Sequence, residues 1–240
     1  MNDNNEVSFT LITVFYKNKV GLQLTLNSIV KNLNLIEDKY KRLFNLLLVD
    51  SDSNDGSKDL INFFGEKYNL NLRYINVPRR GVYFAQDQAL KNLNIKNNRV
   101  LFINSGDEIF SFDPLIKTLA INKHKKYPEV LSCKVGTFYP PISRVIFFDS
   151  AIEKKPAHQG FLYNPNLHKK YGYYEGQLKY HGKNIYGALD YIFMKKVLNK
   201  EKDILRSKDL IALAELTIFN DSRDFRKQIK LLPLKAIIYS

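Results

Sequence analysis

The chain has 240 residues, and its 45% hydrophobic content, with 16 Phe and 15 Tyr, is enough to build a substantial core. Its polar start, MNDNNEVS, and the absence of any apolar run of roughly 18 residues predict a cytoplasmic protein, and a single cysteine, Cys133, excludes an internal disulfide. The 37 Lys and Arg against 24 Asp and Glu give a formal charge of +13, which favours nucleic acid, an anionic membrane face or phosphorylated small molecules as partners, or else a merely solvated basic surface.

The first 120 residues alternate short apolar runs with helical patterns. Runs rich in β-branched and aliphatic residues predict buried strands at 9–15, 44–50, 72–77 and 99–104. Helices are predicted at 21–33, around Leu60 to Phe64, at 83–93, and after Asp113 as N-cap with Pro114 at the first helical position. Solid apolar strands that alternate with helices are typical of a mostly parallel sheet covered on both faces, so we predict a doubly wound α/β fold.

The pattern changes after about residue 129. Segments 129–135 and 144–150 predict strands, 156–185 is aromatic and irregular, and 187–198 predicts a helix. The sequence has no linker, no low-complexity stretch and no repeat beyond the strand–helix units. We therefore predict a single domain over residues 1–240, with halves at 1–120 and 121–240.

Acidic clusters follow the predicted strands, where parallel sheets bind their ligands. Asp50, Asp52 and Asp55 follow one strand, and Asp107 and Glu108 follow another, in the stretch INSGDE. The absence of GxGxxG after the first strand and of GxxxxGK[ST] anywhere argues against a dehydrogenase and a P-loop kinase. Because carboxylates can bind ribose hydroxyls or hold Mg²⁺ or Mn²⁺ against a diphosphate, these strand ends favour a nucleoside diphosphate with a metal.

Six motifs follow one another over roughly residues 8–198: ITVFYKNKVGLQLTLNSI, LLVDSDSNDGS, RRGVYFAQDQAL, VLFINSGDEIF, PAHQGFLY and GALDYIFMKK. In this order they resemble the family 2 glycosyltransferases, inverting enzymes of the GT-A fold, and in particular the branch that elongates bacterial surface polysaccharides. The resemblance implies a GT-A, Rossmann-like sheet flanked by helices, with 1–120 as the nucleotide-sugar-binding half and 121–240 as the acceptor-side half. It also implies a nucleotide-diphosphate-sugar donor such as a UDP-sugar, a glycan or lipid-linked acceptor, and Mn²⁺ or Mg²⁺ as cofactor.

The resemblance assigns five residues to the donor nucleotide. Thr13 and Phe15 would lie beside the base, and Asp50 would hydrogen-bond the base or the ribose. Arg80 and Gly81 would line the approach of the diphosphate.

Four further residues are implied around the reacting groups. Asn104 and Asp107 would stand for the DxD motif, with Asp107 as the metal ligand. Asp190 would be the general base that deprotonates the acceptor hydroxyl, and His158 would lie near the acceptor or the diphosphate. The alternatives are a solvated acid on an amphipathic helix for Asp190 and an ordinary hydrogen-bonded histidine for His158. Lys17, where the family has an asparagine, becomes a candidate diphosphate contact.

Several positions depart from the family pattern or have a structural alternative. Asp50 and Asp55 can act as caps of the turn that follows their strand. Phe84 stands where the family often has an acid, Asp87 stands where it has an asparagine, and 217–222 replaces an expected glycine-rich element. The resemblance therefore assigns no donor contact to the 83–93 helix and no acceptor-side lid to 217–222.

The basic and apolar segment 223–240 predicts peripheral contact with an anionic inner membrane face, or a terminal helix packed on the domain. The charge alone favours a nucleic-acid-binding protein, but the predicted site is acidic, so we expect no nucleic acid. A GT-A-like protein without transferase activity stays as the other alternative.

Overall fold

The computed structural model describes residues 6–93, 97–122, 126–139, 144–148, 156–174, 179–180, 183–184 and 189–215. The predictions for 217–222 and 223–240 lie outside these ranges. None of the helices within them is both long and apolar enough to pass through a membrane.

The helices are α1 (Lys19–Leu35), α2 (Asp38–Lys41), α3 (Ser57–Tyr68), α4 (Val82–Lys91), α5 (Asp113–Ile121), α6 (Asn166–Tyr171) and α7 (Leu189–Lys200). The strands are β1 (Ser8–Phe15), β2 (Phe44–Asp50), β3 (Leu72–Asn76), β4 (Asn98–Phe102), β5 (Glu108–Ile109), β6 (Val130–Tyr139), β7 (Arg144–Phe148), β8 (Phe161–Tyr163), β9 (Lys179–Tyr180), β10 (Lys183–Asn184) and β11 (Ile204–Glu215). A turn of 3₁₀ helix, His158–Gly160, directly precedes β8.

Within the described ranges, one nine-stranded sheet runs in the order β3-β2-β1-β4-β8-β6-β11-β5, with β7 beside β6. The four strands β3, β2, β1 and β4 are parallel, as predicted for the first half. Strand β8 is antiparallel to both of its neighbours, β4 and β6, whereas β6 and β11 are parallel. The α/β fold class is confirmed, with a sheet that is parallel in its first half and mixed in its second.

Both faces of the sheet are covered, which is why its strands are apolar without alternation. On β1, Leu11 packs into a core with α1, α3 and α5, and the next residue, Ile12, packs into a second core with α4, α6 and α7. Both side chains have no exposed surface. The two cores hold the ends of β1, β2 and β4 at one edge of the fold.

Three local predictions differ from the structure. Helix α5 begins at Asp113 itself, so Phe112 and not Asp113 occupies the N-cap position, and the N–H of Asp113 donates to the Ser111 hydroxyl. The segment 156–185 contains β8 and α6, although its sequence gave no periodic signal. Strand β11 was not predicted, because the polar run RSKD (206–209) interrupts its apolar residues. It joins the sheet through β6 and β5.

A buried histidine lies at the centre of the second core. The ring of His168 is stacked on Phe193 with centroids 3.9 Å apart. Its Nδ1–H donates to the carbonyl of Gly172 (3.1 Å), and its Nε2 accepts from the hydroxyl of Tyr163 (2.8 Å). One neutral tautomer satisfies both contacts. Burial disfavours the charged imidazolium and lowers the pKa of His168 to about 3.

This histidine makes stability depend on pH. The folded-state pKa of His168 lies below its unfolded value of 6.5, so its contribution is present above pH 6.5 and is lost as the pH falls toward 3. Between pH 7 and pH 5 we expect the free energy of unfolding to fall by about 2 kcal/mol from this residue alone. Urea denaturation at the two pH values should show this loss in the wild type and its absence in His168→Gln. Equal pH dependence in the two proteins would contradict the assignment.

Candidate active site

The stretch INSGDE forms a closed turn directly after β4. The backbone N–H of Asn104 donates to the Asp107 carboxylate at Oδ2 (3.0 Å), and the N–H of Asp107 donates back to the carbonyl of Asn104 (2.9 Å). Gly106, at φ 107°, makes the reversal between them. These bonds place the Asn104 and Asp107 side chains side by side beyond the end of the strand.

Helix α1 holds this turn in place through hydrogen bonds. The Thr25 hydroxyl donates to the carbonyl of Asp107 (2.7 Å) and accepts from the N–H of Gly106 (3.0 Å). The same Gly106 N–H also lies 3.1 Å from the carbonyl of Gly21, which is on α1. Thr25 has no exposed surface, so its hydroxyl serves the turn and not the solvent.

The antiparallel direction of β8 brings a distant segment to the same place. Val100 of β4 pairs with Tyr163 of β8, so moving forward along β4 to Asn104 corresponds to moving back from Tyr163 to the 158–160 turn. There the Gln159 amide donates from Nε2 to Asp107 Oδ2 (3.0 Å), and His158 Nε2 lies 3.1 Å from Asn104 Nδ2.

Gly160 sets how deeply this turn sits in the fold. A Cβ atom at Gly160 would lie 2.6 Å from both the carbonyl oxygen of Cys133 and Cγ2 of Val135, on β6. Only glycine permits such close backbone packing. The depth of His158 and Gln159 in the site therefore depends on the absence of a side chain at the next position.

Asp190 reaches the site from the first turn of α7. His158 Nδ1 donates to Asp190 Oδ2 (3.0 Å), which leaves Nε2 as the acceptor of the Asn104 amide N–H. The Tyr83 hydroxyl donates to the other carboxylate oxygen of Asp190, Oδ1, at 3.1 Å. His158 Nε2 is also 4.0 Å from Asp107 Oδ2, so the imidazole lies between two carboxylates.

His158 and Asp190 each shift the pKa of the other toward its charged form. Burial by itself would lower the pKa of His158, but the hydrogen bond and charge of Asp190, with the charge of Asp107, raise it above its ordinary value. Burial by itself would raise the pKa of Asp190, but His158, the Tyr191 N–H and the Tyr83 hydroxyl lower it. The side chains of His158 and Asp190 are 21% and 18% exposed, so both remain accessible to a ligand.

The residues predicted to bind the nucleotide lie on the neighbouring strands. Phe15 pairs with Asp50 across β1 and β2. Asp50 is 1% exposed and accepts hydrogen bonds from the Ser53 N–H (2.8 Å) and the Tyr74 hydroxyl (2.9 Å). Burial, together with the hydrogen bond to Asp50, raises the pKa of Tyr74 to about 12. Thr13 has no exposed surface. The structural alternative for Asp50 is thus present in the fold, and nucleotide contact by these residues stays a prediction.

The predicted diphosphate contacts lie in exposed loops. The guanidinium carbon of Arg80 lies 4.3 Å from the centre of the Phe84 ring. Arg80 precedes Gly81, the N-cap residue of α4, whose φ is 96°. Lys17 also adopts a positive φ, 46°, and its N–H donates to the Ser53 hydroxyl (2.8 Å). These loops border the same edge of the sheet as Asp50, and they are rich in cationic side chains.

The structure explains one departure from the family pattern, Asp87, and shows the structural role of Asp55. The carboxylate of Asp87 is 1% exposed and accepts the N–H of Tyr174 (3.0 Å). Asp55 accepts from the N–H of Ser57 (3.1 Å) and the N–H of Lys19 (3.0 Å), so it ties the loop after β2 to the start of α1. Both acids hold the backbone near the site.

The structure therefore brings together Asn104, Asp107, His158 and Asp190, four residues predicted from three distant motifs. Sequence reasoning missed Gln159, Tyr83 and Thr25 as site residues. Each lies inside a quoted motif, but a side chain that holds another side chain has no spacing signal of its own.

The atoms facing each other here include ligands suited to a hard divalent cation. Asn104 Oδ1 is buried and has no hydrogen-bond partner in the described ranges. The other end of the same amide, Nδ2, contacts His158 Nε2, and the backbone N–H of Asn104 binds the Asp107 carboxylate. No cluster of three or more His, Cys, Asp or Glu suited to a metal occurs among the residues described. A cation at this position would need ligands from phosphate or water as well.

A separate cleft of about 410 Å³ lies at the opposite, amino ends of β1, β2 and β3. Amide and arginine side chains such as Asn45, Asn71 and Arg73 line it, and none of the predicted site residues borders it. The site is therefore defined by convergent chemistry and not by the volume of a cavity.

Comparison with known proteins shows what the fold is. No family model matches the chain, and no curated protein matches it. The crystal structure of S. aureus TarS 1-349 in complex with UDP is similar to it, with a TM-score of 0.62 and 20% identity over 97% of this chain and 67% of that chain. TarS has also been solved with UDP-GlcNAc, with 19% identity and a TM-score of 0.62.

Two further solved structures are similar. The mannosyltransferase PcManGT from Pyrobaculum calidifontis, in complex with GDP-Man and Mn²⁺, has a TM-score of 0.64 and 16% identity over 93% of this chain and 61% of that chain. GalNAc-T7 with UDP, GalNAc and Mn²⁺ has a TM-score of 0.58 and 13% identity over 89% of this chain and 44% of that chain. The predicted fold is confirmed: the chain has the α/β fold of the GT-A glycosyltransferases.

Proposed function

We propose that the protein is an inverting glycosyltransferase that moves a sugar from a nucleotide-diphosphate sugar to a glycan or lipid-linked acceptor. The observation that carries the proposal is the convergence of Asn104, Asp107, His158 and Asp190 beyond the ends of β4 and β8 in a GT-A fold. Binding of UDP, UDP-GlcNAc or GDP-Man in the similar structures supports a nucleotide-sugar donor. The motif order of the sequence supports a role in bacterial surface polysaccharide synthesis at the inner membrane face.

The donor diphosphate would lie between the acidic turn and the basic loops. Lys17 and Arg80 would offset its charge from the loops after β1 and β3. Asp107 and Asn104 Oδ1 would hold Mn²⁺ or Mg²⁺ together with phosphate or water oxygens, in keeping with the Mn²⁺ of two similar structures. When bound, the cation would neutralise charge that develops on the departing diphosphate.

Asp190 would accept the proton of the acceptor hydroxyl. As the acceptor oxygen bonds to the anomeric carbon, the bond from that carbon to the diphosphate oxygen breaks, and the diphosphate leaves with the electron pair. The lowered pKa of Asp190 keeps the carboxylate ionised. Hydrogen bonds from His158, the Tyr83 hydroxyl and the Tyr191 N–H use three of its about four lone-pair positions, which leaves one to receive the proton. A single displacement of this kind inverts the configuration at the anomeric carbon.

Nucleotide binding tests the proposal directly. We expect calorimetric titration to show binding of UDP or GDP, and Mn²⁺ to raise the affinity by about tenfold or more, which is about 1.4 kcal/mol. Asp107→Asn should remove most of the Mn²⁺ effect, because it removes the only charged oxygen ligand we assign. Asp38→Asn is the matched control, since Asp38 is exposed on α2 and its loss of charge should leave binding unchanged.

The alternatives predict other results. Binding of fragmented RNA or DNA without binding of any nucleoside diphosphate would replace the proposal with the nucleic-acid-binding alternative. Binding of nucleotide sugars without transfer to lipid-linked glycans from a bacterial membrane extract would favour a GT-A-like protein that has no transferase activity.

Asp190→Asn separates donor binding from chemistry. The amide cannot accept the acceptor proton, so we expect transfer of labelled sugar to fall by about a hundredfold or more while donor affinity stays the same. Glu201→Gln makes the same chemical change just beyond the other end of α7, and transfer should remain at the wild-type rate. Wild-type transfer by Asp190→Asn would exclude Asp190 as the base.

A further inference from the structure

We infer that Tyr83 is a positioning residue that holds Asp190 in the orientation needed for proton transfer. The inference rests on the proposed function, because it concerns the base of that reaction. It extends the proposed function to a residue on α4, which the sequence motifs do not connect with the base.

The Tyr83 hydroxyl makes two hydrogen bonds to consecutive residues of α7. It accepts the backbone N–H of Leu189 (3.2 Å) and donates to Asp190 Oδ1 (3.1 Å). Leu189 and Asp190 open the described part of α7. One hydroxyl from α4 therefore binds both the backbone and the carboxylate at this end of α7.

The phenol ring is itself held in place. Tyr83 lies in the first turn of α4, which directly follows the N-cap residue Gly81, whose φ is 96°. Its ring contacts the ring of Tyr174, with centroids 5.5 Å apart. The N–H of Tyr174 is bound by Asp87, one helical turn after Tyr83 on α4. The hydroxyl thus extends from a supported element and not from a free surface side chain.

His158 and Tyr83 bind different oxygens of the Asp190 carboxylate. His158 binds Oδ2 and Tyr83 binds Oδ1, so rotation of the carboxylate about its Cβ–Cγ bond would break both hydrogen bonds. Without the Tyr83 hydroxyl, the carboxylate has one neighbour less to define its plane, and the Leu189 N–H loses its acceptor. Displacement of a reacting group by about 1 Å can cost a hundredfold in rate, so this second contact bears on turnover.

A comparison of two tyrosines tests the inference. Tyr171→Phe is the matched control, because the Tyr171 hydroxyl also donates to a carboxylate, that of Glu201 (2.6 Å), just beyond the other end of α7. We expect Tyr83→Phe to lower kcat for sugar transfer by about tenfold or more with unchanged affinity for UDP and Mn²⁺. Tyr171→Phe should leave kcat unchanged, and Tyr83→Phe should add little to Asp190→Asn, since it acts through that carboxylate.

A second measurement does not need turnover. In nitrogen-labelled protein, the His158 Nδ1–H that binds Asp190 gives a proton resonance, and we expect Tyr83→Phe but not Tyr171→Phe to shift or broaden it. An unchanged His158 signal, or wild-type kcat in Tyr83→Phe, would overturn the inference. If the wild type itself turns over no nucleotide sugar, the proposed function fails, and the His158 signal alone decides whether Tyr83 orients Asp190.

Discussion

Strand β8 has only three residues, and its direction determines whether the candidate site exists. It lies between β4 and β6 and runs antiparallel to both, so the residues before it emerge where β4 ends. A parallel strand in the same place would put His158 and Gln159 at the opposite edge of the sheet. The close packing of Gly160 against β6 then brings this segment near enough for His158 to contact Asn104 and for Gln159 to contact Asp107.

Hydrogen bonds within the site are shared and not isolated. Asp107 accepts from Asn104 and Gln159, His158 joins Asn104 to Asp190, and each contact is 3.0 or 3.1 Å long. A buried polar group that loses its partner costs about 1 to 3 kcal/mol, more than a typical hydrogen bond contributes. The orientation of each side chain is therefore stabilised by its neighbours, which suits a site that must bind a charged ligand without rearranging first.

The first half of the fold could be predicted from sequence because its elements are local. Strands β1 and β2 are rich in apolar and β-branched residues, β3 and β4 contain shorter apolar runs, and α1 and α4 carry helical periodicity. Their type and order therefore follow from hydrophobic patterning. The predicted boundaries of β2 are identical to those observed. By contrast, β8 and β11 are strands because of their neighbours in the sheet, and no rule of spacing within their own sequences identifies them.

The site residues also divide into those that the sequence predicts and contacts that depend on tertiary packing. Asp107 could be predicted because it follows a recognisable buried strand, and His158 and Asp190 because they lie in motifs of a known family. The contact of Tyr83 with Asp190 spans 107 positions of sequence, and that of His158 with Asp190 spans 32. Such contacts depend on how α4, α7 and the 158–160 turn pack together, which composition and periodicity do not encode.

The wide separation of these residues along the chain has a consequence for folding. Closing long loops costs entropy before any contact repays it, so local βα units tend to form before distant strands pair. The 158–160 turn can reach Asn104, 54 residues away from His158, only after β8 has docked between β4 and β6. The ability to bind a ligand would then appear last in folding, and a partly folded chain with an intact first half would have no complete site.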